Sequence, residues 1–297
     1  MLAIVIPYYK YAFFESTLLS LQNQTNKAFT VYIGDDASSE NPKNLLEKYK
    51  GKLAYQYKRF DSNLGGISLT QQWERCLEMV QGETWVMILG DDDTISDNFV
   101  EAFYKHIDEI NQLKISVIRY ASVVVNTKGE QVSKQYIHPN LETAVDFLKR
   151  KYKGGTRSSL SEYIFKKEVV NAIRFKNFPL AWSSDTLAVV EFSRGKNIYS
   201  INEAFMYFRL SDINITGQVD SLDKNEAWFK FYVYLLENYG KKYPVNLVNT
   251  LFERLEKVQC NNKKTPGRWL KLIVLYIRFS KYPRFLSLFS KIKRSIV

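Results

Sequence analysis

The chain has 297 residues, of which 45% are hydrophobic and 25% are charged, a composition typical of globular proteins and not of disordered or fibrous ones. With only two cysteines and two histidines, the sequence argues against a disulfide framework, a cysteine zinc site and a Ser-His-Asp triad, which leaves Asp and Glu to carry any metal or proton chemistry. The net charge of +11 belongs to the C-terminal part, because residues 241–297 contain 14 Lys and Arg against two Glu, whereas the first 240 residues contain 28 basic and 29 acidic residues.

The first 120 residues alternate between strand-like and helix-like segments. In chain order these are LAIVIP, FFESTLLSLQNQ, FTVYIG, NPKNLLEKYK, LAYQYKRF, ISLTQQWERCLEMV and TWVMIL. The second helix is expected to have Asn41 as its N-cap and Pro42 at its first helical position. Alternating β and α segments of this length predict an α/β fold, in which a mostly parallel sheet has helices on both faces.

After about residue 115 the pattern changes to a more mixed one. A strand pair, SVIRYASVVVN and QVSKQYIH, is expected around the turn TKGE. It is followed by the helix LETAVDFLKRKY, the loop GGTRSS, the strand EYIF, the helix SSDTLAVVEFSR and the strand FMYFRL. Beyond residue 221 the chain is predicted to be wholly helical. These changes predict one domain over residues 1–220, divided near residue 120, and a helical C-terminal region over residues 221–297.

Two acidic clusters follow strands of the predicted sheet. Asp35 and Asp36 come after FTVYIG, and the aspartates 91–93 come after TWVMIL. Ligands of such sheets bind beyond the carboxyl ends of the strands, so the triple aspartate is expected to face a ligand. Carboxylates suit Mg²⁺ or Mn²⁺, and they also accept hydrogen bonds from the N–H and O–H groups of a nucleotide. The simpler alternatives are a helix cap at Asp93 or Asp97 and a solvated turn at DDASSENP.

Four short motifs in the first 120 residues resemble those of the family 2 glycosyltransferases, which have the GT-A fold. They are IVIPYYK, YIGDDASSE, DSNLGG and ILGDDD, in this order and at roughly the family's spacing. The resemblance implies a Rossmann-like sheet and the transfer of a sugar from a nucleotide diphosphate sugar, most often a UDP-sugar, with inversion at the anomeric carbon. It makes residues 1–120 the nucleotide-sugar-binding half and residues 121–220 the acceptor-side half of the domain.

The resemblance also implies particular site residues. Pro7 and Tyr9 would line the nucleotide pocket, and Asp36 would contact the base. The residues expected to bind the nucleotide sugar are Pro7, Tyr9, Asp36, Asn63, Gly65, Asp91, Asp92 and Arg209. Asp92 would be the metal-ligating aspartate of the DxD motif, with Asp93 as a second ligand of Mn²⁺ or Mg²⁺. Gly90 stands where the family has its first aspartate, which leaves open whether Asp91 or Asp93 supplies the second polar contact.

The catalytic base that the resemblance implies lies at the start of a helix, in WSSDTLAVVEF. This position nominates Asp185, which would remove the proton of an acceptor hydroxyl as it attacks the anomeric carbon. Glu191 is the second candidate. The alternative is that Asp185 is only a helix N-terminal residue stabilised by the helix dipole. The nearby Arg157 is expected either in a loop that closes over the substrates or in a plain surface connection.

The C-terminal tail is strongly basic, because residues 263–297 contain ten Lys and Arg and no acidic residue. One sector of its helical wheel is basic and much of the rest is apolar. The basic residues are Arg268, Lys271, Arg278 and Lys281, and the apolar ones include Trp269, Ile273, Tyr276 and Ile277. Basic amphipathic helices bind anionic membrane surfaces, which predicts such a partner; otherwise the apolar face packs on the domain and the basic face is solvated. No recognised motif indicates nucleic acid.

These patterns predict an enzyme of the cytoplasm that associates peripherally with the inner face of the cell membrane. No basic leader precedes the first strand, and the longest apolar run near the C-terminus, residues 272–277, is too short to span a bilayer. The expected acceptor is a glycan or a lipid-linked saccharide of surface polysaccharide biosynthesis. Sugar nucleotidyltransferases and aspartyl phosphatases fit poorly, because both place their motif directly after the first strand. A non-catalytic nucleotide-sugar-binding or scaffolding protein of the same fold remains the alternative.

Overall fold

The computed structural model of the chain describes residues 1–212, 221–262, 265–281 and 283–288. It divides into two compact units. Unit 1 consists of Met1–Asn177 and Ser184–Gln218, and unit 2 consists of Phe178–Ser183 and Val219–Val297. The domain boundary predicted at residue 220 lies outside the described residues.

Unit 1 contains a nine-stranded sheet with the order β3-β2-β1-β4-β8-β6-β9-β5, in which β7 also pairs with β9. The strands are β1 (Leu2–Tyr8), β2 (Phe29–Asp35), β3 (Tyr55–Arg59), β4 (Trp85–Ile88), β5 (Thr94–Ile95), β6 (Val117–Val125), β7 (Leu141–Thr143), β8 (Tyr163–Lys166) and β9 (Asn197–Arg209). β1 to β4 are parallel neighbours and β6 is parallel to β9, whereas β8 runs antiparallel between β4 and β6. The sheet is therefore mixed but mostly parallel, as predicted.

The helices of unit 1 connect these strands. They are α1 (Phe14–Gln22), α2 (Lys43–Glu47), α3 (Leu69–Leu77), α4 (Phe99–Gln112), α5 (Ala144–Tyr152), α6 (Lys167–Ile173) and α7 (Ser184–Phe192). Every strand and helix predicted in the first 90 residues is present, which confirms the α/β fold. α2 begins one residue later than expected, with Pro42 at the N-cap position, while the Asn41 side chain accepts a hydrogen bond from the Lys43 backbone N–H at 3.0 Å.

The register of the parallel strands brings their carboxyl ends to one edge of the sheet. Tyr8, the last residue of β1, pairs with Asp35, the last residue of β2, and Asp35 in turn pairs with Arg59 at the end of β3. β1 itself is almost wholly buried, because it lies between β2 and β4 and its apolar side chains pack on both faces. The residues that follow β1, β2 and β4 consequently meet at this edge.

The predicted second strand of the pair after residue 115 does not form. β6 is present, but residues 131–137 form no strand beside it and pair with it at two isolated bridges, Ser122 with Tyr136 and Val125 with Gln131. Between these bridges, the backbone N–H of Val124 donates to the Ser133 hydroxyl at 2.9 Å instead of to a backbone carbonyl. A side chain thus takes a place in the hydrogen-bond ladder, and the ladder is interrupted.

The predicted helix LETAVDFLKRKY divides into a strand and a helix. Its first three residues form β7 against β9, and α5 begins only after Thr143. The Thr143 side chain is the N-cap of α5, because it accepts a hydrogen bond from the Asp146 backbone N–H at 3.1 Å. The cap therefore fixes a boundary that hydrophobic periodicity alone had missed.

A buried ion-pair network lies under the loop between α5 and β8. The Glu162 carboxylate, whose side chain is fully buried, bonds the Arg119 guanidinium at 3.1 Å and the Arg157 guanidinium at 2.7 Å. It also accepts the backbone N–H of Ser159 at 3.1 Å, which closes a capping box. Arg119 is fully buried as well, so one carboxylate balances two guanidiniums with little help from water.

We predict that Glu162→Gln lowers the free energy of unfolding by about 3 kcal/mol, because removing one partner leaves buried charge without compensation. The matched control is Glu168→Gln, which breaks an ion pair with Lys166 between exposed side chains and should cost less than about 1 kcal/mol. Urea denaturation of both variants measures the difference. Equal effects of the two substitutions would show that the buried network does not stabilise the fold.

Unit 2 is helical in its described residues, as predicted beyond residue 221. Its helices are α8 (Leu222–Asn238), α9 (Val245–Asn261) and α10 (Pro266–Arg278). α10 packs through its buried residues Leu272, Leu275 and Tyr276, and the Tyr276 ring stacks on Phe252 of α9. In the part of the chain that the structure describes, no helix is both long enough and apolar enough to cross a membrane.

The basic residues of α10 are largely paired, whereas the alternative to membrane binding predicted a solvated basic face. Arg268 is buried and bonds Glu226 of α8, and Lys271 forms an ion pair with Glu237 at 2.6 Å. Arg278 donates to the Glu237 backbone carbonyl at 2.8 Å. The helical wheel had shown which residues share a sector, but it could not show that acidic residues of α8 lie opposite them.

Candidate active site

The triple aspartate lies at the carboxyl edge of the sheet, and each of its side chains has a different environment. The Asp91 carboxylate accepts hydrogen bonds from the backbone N–H groups of Tyr9 and Lys10, at 2.8 and 2.7 Å. Both donors follow β1, so this carboxylate joins the ends of β1 and β4. Burial, and secondarily the charge of Asp92, raise the pKa of Asp91 to about 6.

Asp93 is buried and is held on both of its carboxylate oxygens. One accepts the Ser161 hydroxyl at 2.6 Å, and the other accepts the backbone N–H of Arg209 at 3.0 Å. The Thr17 hydroxyl fixes the backbone here, because it donates to the Asp93 carbonyl at 2.8 Å. Burial is the main reason that the pKa of Asp93 is raised, and the charge of Asp92 adds to it.

Asp92 is partly buried between these two carboxylates and raises the pKa of both. Its backbone carbonyl accepts the Arg209 Nε–H at 2.9 Å. A Cβ atom at Gly90 would lie 3.0 Å from Asp92 Oδ1 and 3.1 Å from Asp93 Oδ2, so the glycine gives these carboxylates room. Among the described residues no group of three or more His, Cys, Asp or Glu is arranged to hold a metal ion.

Asp36 holds the loop that follows β3. Its carboxylate accepts the backbone N–H groups of Leu64 and Gly65, both at 2.8 Å, and bonds the Arg75 guanidinium. Arg75 in turn lies over the ring of Phe60, 4.0 Å from its centre. Burial raises the pKa of Asp36 and these donors oppose that rise. Whether Asp36 also contacts a nucleotide base stays a prediction.

The neighbouring nucleotide-pocket candidates surround Asp36 and Asp91. Asn63 closes the same loop, since its side-chain oxygen accepts the Gly66 backbone N–H at 2.6 Å. Pro7 is the residue before the last in β1, and Tyr9 follows the strand with an exposed side chain. A Cβ atom at Gly65 would lie 2.4 Å from Asp36 Oδ2, so the glycine leaves room for this carboxylate. The structure therefore brings these predicted residues to one edge of the sheet.

Arg209 is a buried structural connector at the end of β9. Its Nη1 donates to the backbone carbonyls of Asn126 and Thr127, at 3.1 and 3.2 Å, and its guanidinium lies 4.6 Å from the centre of the Phe13 ring. Arg209 also bonds Asp92 and Asp93, so it connects β9 and the residues after β6 to the triple aspartate. This arrangement favours a structural role for Arg209, and its contact with the nucleotide sugar stays a prediction.

Asp185 lies in the first turn of α7 and is partly buried. Burial raises its pKa, the charge of Lys151 lowers it, and the charge of Glu162 raises it again. The base candidate is therefore close to the buried network, whose 3-10 turn also carries Ser161, the partner of Asp93. A partly buried carboxylate with a raised pKa is suited to accept a proton. Glu191 lies near the other end of α7.

Ser161, Arg75 and Glu162 belong to this site, and the sequence analysis did not nominate them. Ser161 accepts the Gly90 backbone N–H at 3.1 Å while its hydroxyl donates to Asp93, so it links two positions of the motif. The available signal was the pattern SLSE, a serine three residues before a glutamate, which indicates a capping box. That pattern could have located the turn, but it carried no information about Asp93.

A family comparison identifies the chain. Residues 3–168, more than half of the sequence, match the model of glycosyl transferase family 2. The chain belongs to this family. No curated protein matches it in a direct comparison. The motifs from IVIPYYK to ILGDDD all fall inside the matched region, so the predicted family is confirmed.

Solved structures of S. aureus TarS share the fold. The crystal structure of TarS 1–349 in complex with UDP-GlcNAc has a TM-score of 0.67 and 18% sequence identity, over 92% of this chain and 79% of that one. The complex of TarS 1–349 with UDP has a TM-score of 0.54 and 17% identity, over 87% and 82%. Against the TarS structure not restricted to residues 1–349, the chain spans 47% of its length, with a TM-score of 0.62. These likenesses confirm the GT-A fold.

We predict that Gly65→Ala destabilises the protein by about 1–3 kcal/mol, because the added methyl group displaces the Asp36 carboxylate from its buried hydrogen bonds. Gly82→Ala is the matched control, since a Cβ there meets no atom within 4 Å. Urea denaturation measures both variants. A Gly65→Ala protein as stable as the control would mean that the loop accommodates the methyl group and that the Asp36 contacts are not needed.

Proposed function

We propose that this family 2 protein is an inverting glycosyltransferase that moves a sugar from a UDP-sugar to a hydroxyl of a glycan or lipid-linked saccharide in surface polysaccharide biosynthesis. The observation that carries the proposal is the junction of Asp91 with the backbone of Tyr9 and Lys10, which gathers the family motifs at the carboxyl edge of the sheet. The TarS complexes with UDP-GlcNAc and UDP support a nucleotide-sugar donor.

On the donor side, the residues around Asp36 would bind the nucleoside and those around Asp92 the diphosphate. The Arg75 guanidinium stabilises the charged form of Asp36, and a charged carboxylate accepts the N–H groups of a base. Tyr9, exposed beside Asp91, would pack on the nucleoside. In this proposal Arg209 acts through the aspartates that it positions.

The chemistry of the aspartates fits a divalent cation, Mn²⁺ or Mg²⁺. Three adjacent carboxylates lie in a partly buried place where Asp92 raises the pKa of both neighbours, so positive charge would relieve their repulsion. Asp92, which stands at the metal-ligating position of the family's DxD motif, would be the leading ligand, with Asp93 as the second. When bound, such an ion neutralises charge on the departing diphosphate.

Asp185 would act as the general base. It accepts the proton of the acceptor hydroxyl while the hydroxyl oxygen forms a bond to the anomeric carbon, and the bond from that carbon to the diphosphate breaks on the opposite side. Burial raises the pKa of Asp185, which increases its readiness to take the proton, and the charges of Lys151 and Glu162 lower and raise that pKa respectively.

We predict that Asp185→Asn lowers kcat for sugar transfer by about 10²–10⁴-fold and leaves the KM for the donor within about threefold, because proton removal is lost and donor binding is not. Glu191→Gln, in the same helix, is the control and should retain activity. Steady-state kinetics with a saccharide acceptor measure both. A large loss for Glu191→Gln with an active Asp185→Asn would reverse the assignment.

Thermal stability with nucleotides tests the donor site directly. We expect UDP with Mn²⁺ to stabilise the wild-type protein by about 2.7 kcal/mol at a hundredfold excess over its Kd, and GDP or dTDP to stabilise it less. Asp92→Ala should lose the metal-dependent part, while Asp97→Ala, an exposed residue of the same segment, should keep it. Failure of every nucleotide to raise the Tm would overturn the donor site.

The second candidate is a non-catalytic nucleotide-sugar-binding or scaffolding protein of the same fold. It predicts the same nucleotide-dependent stabilisation but no turnover with any acceptor. The position of Asp185 in the first turn of α7, with a pKa raised by burial, favours the enzyme, because such a carboxylate can accept a proton. We also propose that the enzyme works at the inner face of the cell membrane, where the basic C-terminal tail would bind anionic lipid.

A further inference from the structure

The outward face of α10 carries an apolar stripe. Leu270, Val274 and Ile277 are 67%, 56% and 55% exposed, and Ile273 beside them is partly exposed. Positions 270, 273, 274 and 277 follow the i, i+3, i+4, i+7 spacing that puts side chains on one face of a helix. The helix thus has apolar side chains on both sides, since Leu272, Leu275 and Tyr276 are buried on its opposite face.

The charge around this stripe is positive. Gly240 lies against Phe279 at the end of α10, because a Cβ at Gly240 would be 2.6 Å from the Phe279 ring. The turn that begins at Gly240 therefore places the exposed Lys241 and Lys242 near the C-terminal end of α10. Arg278, also exposed, follows Ile277 directly.

We infer that the face of α10 formed by Leu270, Ile273, Val274 and Ile277, called here the α10 stripe, inserts into the interface of an anionic lipid bilayer, with the adjacent lysines on the headgroups. This deepens the membrane association included in the proposed function, and it assigns the contact to apolar residues instead of to the basic sector of the helix.

Charge complementarity selects the bilayer as the occupant. Residues 263–297 carry ten basic and no acidic residues, so a second copy of this chain docked on the stripe would bring like charges together. An anionic surface attracts them instead. Two basic residues of α10 already form ion pairs with α8, since Arg268 bonds Glu226 and Lys271 bonds Glu237.

The test is co-sedimentation of the full chain with vesicles of phosphatidylcholine, with and without phosphatidylglycerol. The stripe variant combines Leu270→Gln, Val274→Gln and Ile277→Gln, because glutamine is polar and is a good helix former at exposed positions. The control variant combines Val132→Gln, Ile137→Gln and Leu222→Gln, three apolar residues that are 55%, 64% and 74% exposed elsewhere. Circular dichroism melting checks that both variants fold like the wild type.

We expect the wild type and the control variant to bind vesicles that contain phosphatidylglycerol and not those of phosphatidylcholine alone, and the stripe variant to bind at least about tenfold more weakly. Equal binding by the stripe variant would overturn the inference and leave a purely electrostatic attachment. Absence of wild-type binding would overturn it as well. Self-association that the stripe variant abolishes, without vesicle binding, would assign the stripe to a second copy.

The nucleotide-dependent rise in Tm, measured on the same three proteins, separates this inference from the proposed function. We expect it to be unchanged in the stripe variant, because the stripe is in unit 2 and the donor-site residues are in unit 1. Vesicle binding without nucleotide stabilisation would contradict the glycosyltransferase proposal alone. Nucleotide stabilisation without vesicle binding would contradict only the membrane contact.

Discussion

Three adjacent carboxylates repel one another, and the carboxyl edge of the sheet is built around compensating them. Asp91 and Asp93 receive different partners: backbone N–H groups after β1 for Asp91, and the Ser161 hydroxyl with a backbone N–H of β9 for Asp93. Donors from distant parts of the chain therefore converge on one short segment, residues 91–93. Burial, and secondarily the charge of Asp92, still raise the pKa of Asp91 to about 6.

The fold was largely predictable because buried strands and helices have recognisable hydrophobic patterns in the sequence. Strands buried on both faces are continuous apolar runs, as in β1 and β2, and the helices between them keep a 3.6-residue period. The errors came where a single polar side chain competes with that period. Ser133 replaces a backbone acceptor beside β6, and Thr143 caps α5 three residues after the predicted start. Such competition depends on tertiary neighbours, so periodicity could not show it.

The position of the candidate site was predictable from the sequence, but the contacts between its residues were not. Strand ends located Asp36 and the aspartates 91–93 at one edge, and the structure confirms that placement. The sequence could not pair Asp93 with Ser161, because 68 residues separate them and only the antiparallel β8 brings the turn to this edge. In the same way, a helical wheel found the two-sided character of α10, but the orientation of the helix followed from partners on α8 that the wheel does not contain.

The sharing of one carboxylate by two guanidiniums restricts how this chain can diverge. Loss of Arg157 still leaves Glu162 with Arg119, so the network survives as a single ion pair. Loss of Glu162 first would leave two like charges facing each other in the interior. Electrostatics therefore favours the loss of one arginine before the loss of the glutamate, because a chain with one arginine keeps the buried charge balanced.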